Sequence, residues 1–237
     1  LSTSAAYLYH LGQVLDLMDT LDLWKDTLLI VNTDHGFLLG EQEWWGKVVQ
    51  PFYNEVAHTP LFIWDPRSAA AGQRRSGLVQ MIDLPPTLLE YFGAPIPPGM
   101  QGVSLRGAIA EDAPVRQAAL FGVFGGHVNV TDGRYVYMRS CGAENGPLYE
   151  YTLMPTHMRA RFSPAELQSL ELSPPFRFSK GCRLLKIPAQ GTWIDPRRFG
   201  TLLFDLQTDP LQHHPLDDPA AEAVMIGHLR RLMEENE

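Results

Sequence analysis

Leu28 to Lys47 reads LLIVNTDHGFLLGEQEWWGK, and this stretch restricts the fold of the chain more than any other. Thr27 to Asn32 is β-favouring and lacks polar alternation, the pattern of a strand covered on both faces. The run gives way at once to Asp34, His35 and Gly36. In open α/β sheets ligands bind beyond the C-terminal ends of the strands, so two potential metal ligands are expected at a site-forming position. Neighbouring strand residues point to opposite faces. Asp34 and His35 can therefore serve one ligand only if the strand has ended, which Gly36 permits. A carboxylate suits a hard divalent cation, and a neutral imidazole widens the choice towards transition metals. Alternatively, Asp34 simply satisfies a buried His35. Lys47 is either a fixed cation facing the same pocket or a solvated loop lysine.

The surroundings point to an α/β protein. Residues 5 to 22 carry Leu8, Leu11, Val14, Leu15, Met18 and Leu21 at helical spacing, which predicts a helix with one buried face. A helix followed by a fully apolar strand suggests a parallel α/β sheet. Leu61 to Trp64 repeats the strand pattern. Asp83 before Leu84-Pro85-Pro86, with Gly93 beyond Phe92, predicts a short helix capped by Asp83. Thr131-Asp132-Gly133 predicts a hairpin between strand-like flanks, and Ser163-Pro164-Ala165-Glu166 matches a capping box. Leu202 to Leu206 reads as a strand and Ala220 to Met233 as a closing helix. The expected organisation is residues 1–113 as an α/β core segment and residues 114–237 as a smaller antiparallel subdomain.

The chain has 237 residues, 45% of them hydrophobic, enough to bury a sizeable core. A net charge of −8 argues against a general nucleic-acid binder, which needs clustered Lys and Arg. No apolar run approaches the ~20 residues that span a bilayer. Cys141 and Cys182 lie far apart and form no C-x-x-C pair, so they are expected as free thiols. The abrupt opening at Leu1 fits a segment of a longer protein and leaves the compartment open: cytoplasmic or periplasmic, depending on what precedes it.

LLIVNTDHGFLLGEQEWWGK followed by PFYNEVAHTPLFIWDPR, then MIDLPPTLLEYFG, QGVSL, TDGRYVYMR and LLFDLQTDPLQHHPL, resembles in order the sulfatases of the alkaline-phosphatase-like superfamily. The resemblance implies the C-terminal part of a mixed α/β sheet with flanking helices, plus a small antiparallel β subdomain closed by a helix. It implies Asp34 and His35 as ligands of one divalent metal, Ca²⁺ with Mn²⁺ or Mg²⁺ as alternatives. Lys47 would contact the sulfate group and the ester oxygen. Trp45 would wall the substrate pocket unless it packs in the core, a choice that also applies to Trp44. His127, in a Gly-rich turn, is the reserve candidate for substrate contact. His58 replaces the arginine that many members carry in Y-x-E-x-x-R-x-P, and Glu55 and His58 are read as structural.

The resemblance also implies a nucleophile in C/S-x-P-S/A-R, matured to formylglycine. Neither Cys141 nor Cys182 lies in such a motif, so that nucleophile and the remaining metal ligands are expected in an N-terminal half not represented here. The expected activity is hydrolysis of sulfate esters, of a small molecule or saccharide, by the longer parent, with the segment alone inactive. Alternatives are a phosphonate or phosphodiester hydrolase of the same superfamily, a segment that pairs with a separately made N-terminal chain, and a non-catalytic module binding an anionic saccharide or a partner chain.

Overall fold

The computed structural model describes all residues except 1, 48–50, 69, 143, 145, 158, 190–194 and 237. Helix α1 (Ser2–Thr20) leads through a short turn into β1 (Leu29–Asn32). A tight hairpin of β2 (Leu38–Leu39) and β3 (Trp45–Gly46) follows, then the one-turn helix α2 (Asn54–Ala57) and β4 (Leu61–Trp64). Helices α3 (Leu84–Tyr91) and α4 (Arg106–Glu111) complete this part. β1 pairs with β4 alone among the described residues, antiparallel, with Leu29 opposite Trp64 and Asn32 opposite Leu61.

The expected α/β character is present, but the β1–β4 and β2–β3 pairings of this part are both antiparallel, and β1 is not covered on both faces by the described residues. Leu29, Ile30 and Val31 are half-buried and Asn32 is exposed. Helix α1 departs further from its pattern. Met18 is buried, yet Leu8 is 69% exposed, and Val14, Leu15 and Leu21 are also exposed. The helical period was legible; its apolar stripe meets little of the described chain.

Helix α3 forms where expected, with prolines in its first turn and Gly93 in the left-handed conformation beyond its end. The role assigned to Asp83 is different. Its carboxylate makes no cap to α3. It is fully buried and binds the Arg116 guanidinium at 2.5 and 2.6 Å, while accepting from the backbone N–H groups of Val103 and Gln80. The Arg116 charge, the remote Val103 amide and the Gln80 amide of the preceding turn outcompete the cap to α3.

The second part is built on the sheet β11-β7-β6-β5, of strands β5 (Ala119–Gly122), β6 (Val128–Thr131), β7 (Tyr135–Arg139) and β11 (Leu202–Asp205), all antiparallel. The predicted turn joins β6 to β7, where Asp132 accepts from the amides of Arg134 and Tyr135. A smaller antiparallel sheet, β8-β10-β9, uses β8 (Leu148–Thr152), β9 (Glu171–Ser173) and β10 (Leu184–Ala189). Between β8 and β9, α5 (Pro164–Gln168) carries the expected capping box: Ser163 accepts from Glu166 N–H and Glu166 from Ser163 N–H. Helix α6 (Pro219–Asn236) closes the chain.

The central sheet is buried on both sides. Tyr137 faces Val130, Leu203 and, on α6, Met225 and Leu229. Its neighbours Val136 and Met138 face the other way, with Phe204, onto Leu38, Tyr53 and Val56 from the 38–56 segment. Alternation along β7 thus places α6 on one face and the segment that follows Asp34-His35 on the other. Both free cysteines are outside these cores; Cys141 is half-buried and Cys182 exposed.

Candidate active site at the end of the first strand

β1 stops at Asn32, so Asp34 and His35 are released from strand alternation, as the sequence requires for a shared ligand. The turn is tied locally. His35 N–H donates to Asp34 Oδ1 at 3.0 Å, and the Thr33 hydroxyl donates to the His35 carbonyl at 3.2 Å. Gly36 N–H donates to the Val56 carbonyl of α2 at 2.9 Å. A Cβ at position 36 would stand 1.8 Å from the Glu55 carbonyl oxygen, so only glycine allows α2 to press against the turn.

The His35 ring has a definite tautomer. Its Nδ1 lies 2.9 Å from the Gly36 carbonyl, which can only accept, so Nδ1 carries the proton. Its Nε2 lone pair then receives the Lys47 ammonium, with Nζ at 2.5 Å. Asp34 Oδ2 lies 3.4 Å from the same Nε2. The Asp34 side chain is 83% exposed and that of His35 30%. Partial desolvation pushes the Asp34 carboxyl upward, but the facing His35, the backbone N–H groups and the Thr33 hydroxyl outweigh it and hold it below its ordinary value.

In type, a carboxylate oxygen and an unprotonated imidazole nitrogen suit a divalent cation. In number they do not. Among the described residues no three His, Cys, Asp or Glu side chains converge as a metal site, and Lys47 lies on the Nε2 lone pair. Two ligands are fewer than such a cation takes.

Lys47 is delivered by the β2–β3 hairpin, where Leu38 pairs with Gly46 and Leu39 with Trp45. Fully buried Leu38 pins the hairpin to the central sheet. The two tryptophans divide by strand alternation: Trp44 turns inward against Phe199, with ring centres 6.4 Å apart, while Trp45 is 71% exposed beside Lys47. His127 is buried, with Nε2 2.8 Å from the Gly200 carbonyl and its ring against Phe199. Burial lowers its pKa and the Gly200 carbonyl only partly offsets this. The structure brings Asp34, His35 and Lys47 together; His127 packs instead on Phe199, which in turn meets Trp44. His58 is exposed, and among the described residues the buried Glu55 Oε2 has no hydrogen-bond partner. Gln42 and Gln212, which tie the hairpin to the C-terminal part, were not singled out from the sequence.

Residues 6–94 match the family model described as Sulfatase, and this span contains the whole Asp34-His35-Lys47 group. This part of the chain is similar to the sulfatase family. The chain is 30% identical over 125 residues to N-acetylglucosamine-6-O-sulfatase of Bacteroides thetaiotaomicron, covering 51% of this chain and 22% of that relative. In fold it is similar to phosphonate monoester hydrolase from Silicibacter pomeroyi, with TM-score 0.60 at 21% identity over 97% of this chain and 39% of that one. A protein solved in complex with its substrate D-glucosamine-2-N,6-O-disulfate gives TM-score 0.60 at 19% identity, over 94% of this chain and 36% of that one. At such identities the likeness is one of fold: the mixed α/β arrangement with small antiparallel sheets and a C-terminal helix is shared with these two solved proteins. The match covers only 22% of the curated relative, and under two fifths of either solved chain is spanned.

Proposed function

We propose that this chain carries the leaving-group side of a site that hydrolyses sulfate esters of saccharides. The observation that carries the reading is the convergence of Lys47 Nζ and Asp34 Oδ2 on His35 Nε2, at 2.5 and 3.4 Å, at a strand end within the family match. Asp34 and His35 would supply two ligands of a divalent cation, Ca²⁺ by resemblance, with the other ligands and a formylglycine nucleophile outside the described residues. Such a cation, when bound, contributes Lewis acidity at the sulfate oxygens.

The chain's own residues have distinct tasks. The Gly36 carbonyl fixes the His35 tautomer that leaves Nε2 free of a proton. With that lone pair given to a cation, the Lys47 ammonium would be free to neutralise the charge that grows on the ester oxygen as the bond breaks. One such donor contributes about 3–4 kcal/mol to the transition state. Trp45 offers an open aromatic face against which a sugar ring can stack. His127 shapes this wall from behind, through Phe199 and Trp44.

Exposed surface supports a larger working unit. The chain exposes 15682 Å², against roughly 10,700 Å² for a compact chain of its mass. Leu8, Leu15, Leu17 and Phe62 are part of that surface. We propose that further sulfatase-fold polypeptide covers α1 and the β1–β4 pair.

A phosphonate monoester hydrolase is the second reading, favoured by the 97% coverage of that solved relative's match. Assaying the gene's complete polypeptide on a sulfate ester and a phosphonate monoester with the same leaving group separates the two. A kcat/KM at least tenfold higher for the sulfate supports the first reading, and the reverse order supports the second.

A further inference from the structure

The stretch between Asp34-His35 and Lys47 contains an unusual run of backbone. Gln42 and Glu43 are consecutive non-glycine residues in the left-handed region, with φ of 52° and 59°, flanked by Gly40 and Gly46 at 123° and 137°. Such conformations persist only where the surroundings enforce them. Enforcement comes from the far end of the chain. Gln42 Nε2 donates to the carbonyls of Leu211 and Gln212 at 2.6 and 3.2 Å.

Gln212 is itself left-handed, with φ of 55°, and only 1% exposed. Its side-chain Oε1 accepts from Asn54 N–H at 2.7 Å, at the start of α2. α2 in turn holds the His35 turn through Val56 and Gly36. One buried residue therefore grips both arms of the site: the hairpin that ends at Lys47, through its backbone, and the helix behind His35, through its side chain.

We propose that Gln212 and Gln42 form a clamp that sets the position of Lys47 relative to His35, making both positioning residues for the leaving-group step. The clamp rests on the role proposed above for Lys47. It explains why three strained residues are retained in two segments about 170 positions apart in sequence. It also gives the C-terminal segment a task in the site although that segment contributes no reacting group.

The deciding variant is Gln42→Gly. It removes the donor while relieving the left-handed strain, so folding is preserved. The complete polypeptide is assayed on aryl sulfates of graded leaving-group pKa, alongside Lys47→Ala. The clamp requires Gln42→Gly to lower kcat/KM about tenfold on the poorest leaving group, a fraction of the ~100-fold that a 1 Å misplacement can cost. The loss on the best leaving group should be under about threefold. An even loss, or none, while Lys47→Ala still shows the uneven one, overturns the clamp and leaves the Lys47 role standing. An even response of Lys47→Ala overturns that role instead.

Hydrogen exchange decides the geometry independently of activity. Gln212→Ala, which removes the acceptor of Asn54 N–H, should speed exchange at the Gly36 amide, and Gln42→Gly, which removes the hairpin's tie, at the Trp44 amide, with the β6–β7 amides unchanged in both. Unchanged Gly36 and Trp44 amides would contradict the clamp whatever the kinetics.

Discussion

β1 and β7 invert each other's sequence impressions. Leu29-Ile30-Val31-Asn32 is the more uniformly apolar and reads as a strand enclosed on both sides, yet none of its residues is fully buried. Tyr135-Val136-Tyr137-Met138-Arg139 mixes aromatic, aliphatic and charged residues, yet Val136, Tyr137 and Met138 are buried to within 1%. The difference lies in what covers each strand. β7 has hydrogen-bonded neighbours on both edges, α6 on one face and the 38–56 segment on the other. β1 has one described strand partner and no core cluster of its own. Apolar sequence states what a strand can bury; only packing decides what it does bury.

Stability measurements can break or sharpen this contrast. The largest effect is expected for Tyr137→Ala, which empties a site between β6, β11 and α6 and breaks the hydrogen bond from the Tyr137 hydroxyl to Glu222. A loss of about 3–5 kcal/mol in urea unfolding is expected. Asp83→Asn should cost nearly as much, about 3 kcal/mol, because it leaves the Arg116 charge largely buried without its counter-ion.

Asp83 also sets a pH dependence. Burial alone would raise its pKa, but Arg116 and the amides of Val103 and Gln80 outweigh burial and hold it below the ordinary aspartate value. The folded state therefore binds this proton less readily than the unfolded one. Its contribution is present above about pH 4 and is lost as pH falls through the depressed folded value. Urea midpoints measured from pH 6 to pH 3 should fall more steeply for the wild type than for Asp83→Asn.

In β1, Ile30→Ala should cost only about 1–2 kcal/mol, since part of the side chain already meets water. A loss as large as that of Tyr137→Ala would show that β1 is enclosed after all. The smallest effect is expected for Phe62→Ser on β4, 67% exposed: within about 0.5 kcal/mol, but with less self-association in sedimentation.

The same contrast shows how far the sequence could be read. Local signals held where neighbours in sequence decide the outcome: the Ser163–Glu166 box, the Asp132–Gly133 turn and the strand end at Asp34-His35 all form as written. They failed where a distant partner competes, as when Arg116 and Val103 draw Asp83 away from the cap it was assigned. The Asp34-His35-Lys47 group was legible as a motif and assembles across 12 positions. Gln212 was not legible, because its importance comes from contacts with residues 158 and 170 positions away and from a buried environment that composition does not reveal.

The account turns on Lys47 acting at the leaving oxygen. Its most direct test is kcat/KM of the complete polypeptide and its Lys47→Ala variant across aryl sulfates of graded leaving-group pKa. The expected result is a loss of about 10²–10³ on the poorest leaving group, shrinking towards the best. A uniform loss, or wild-type rates throughout, would contradict it.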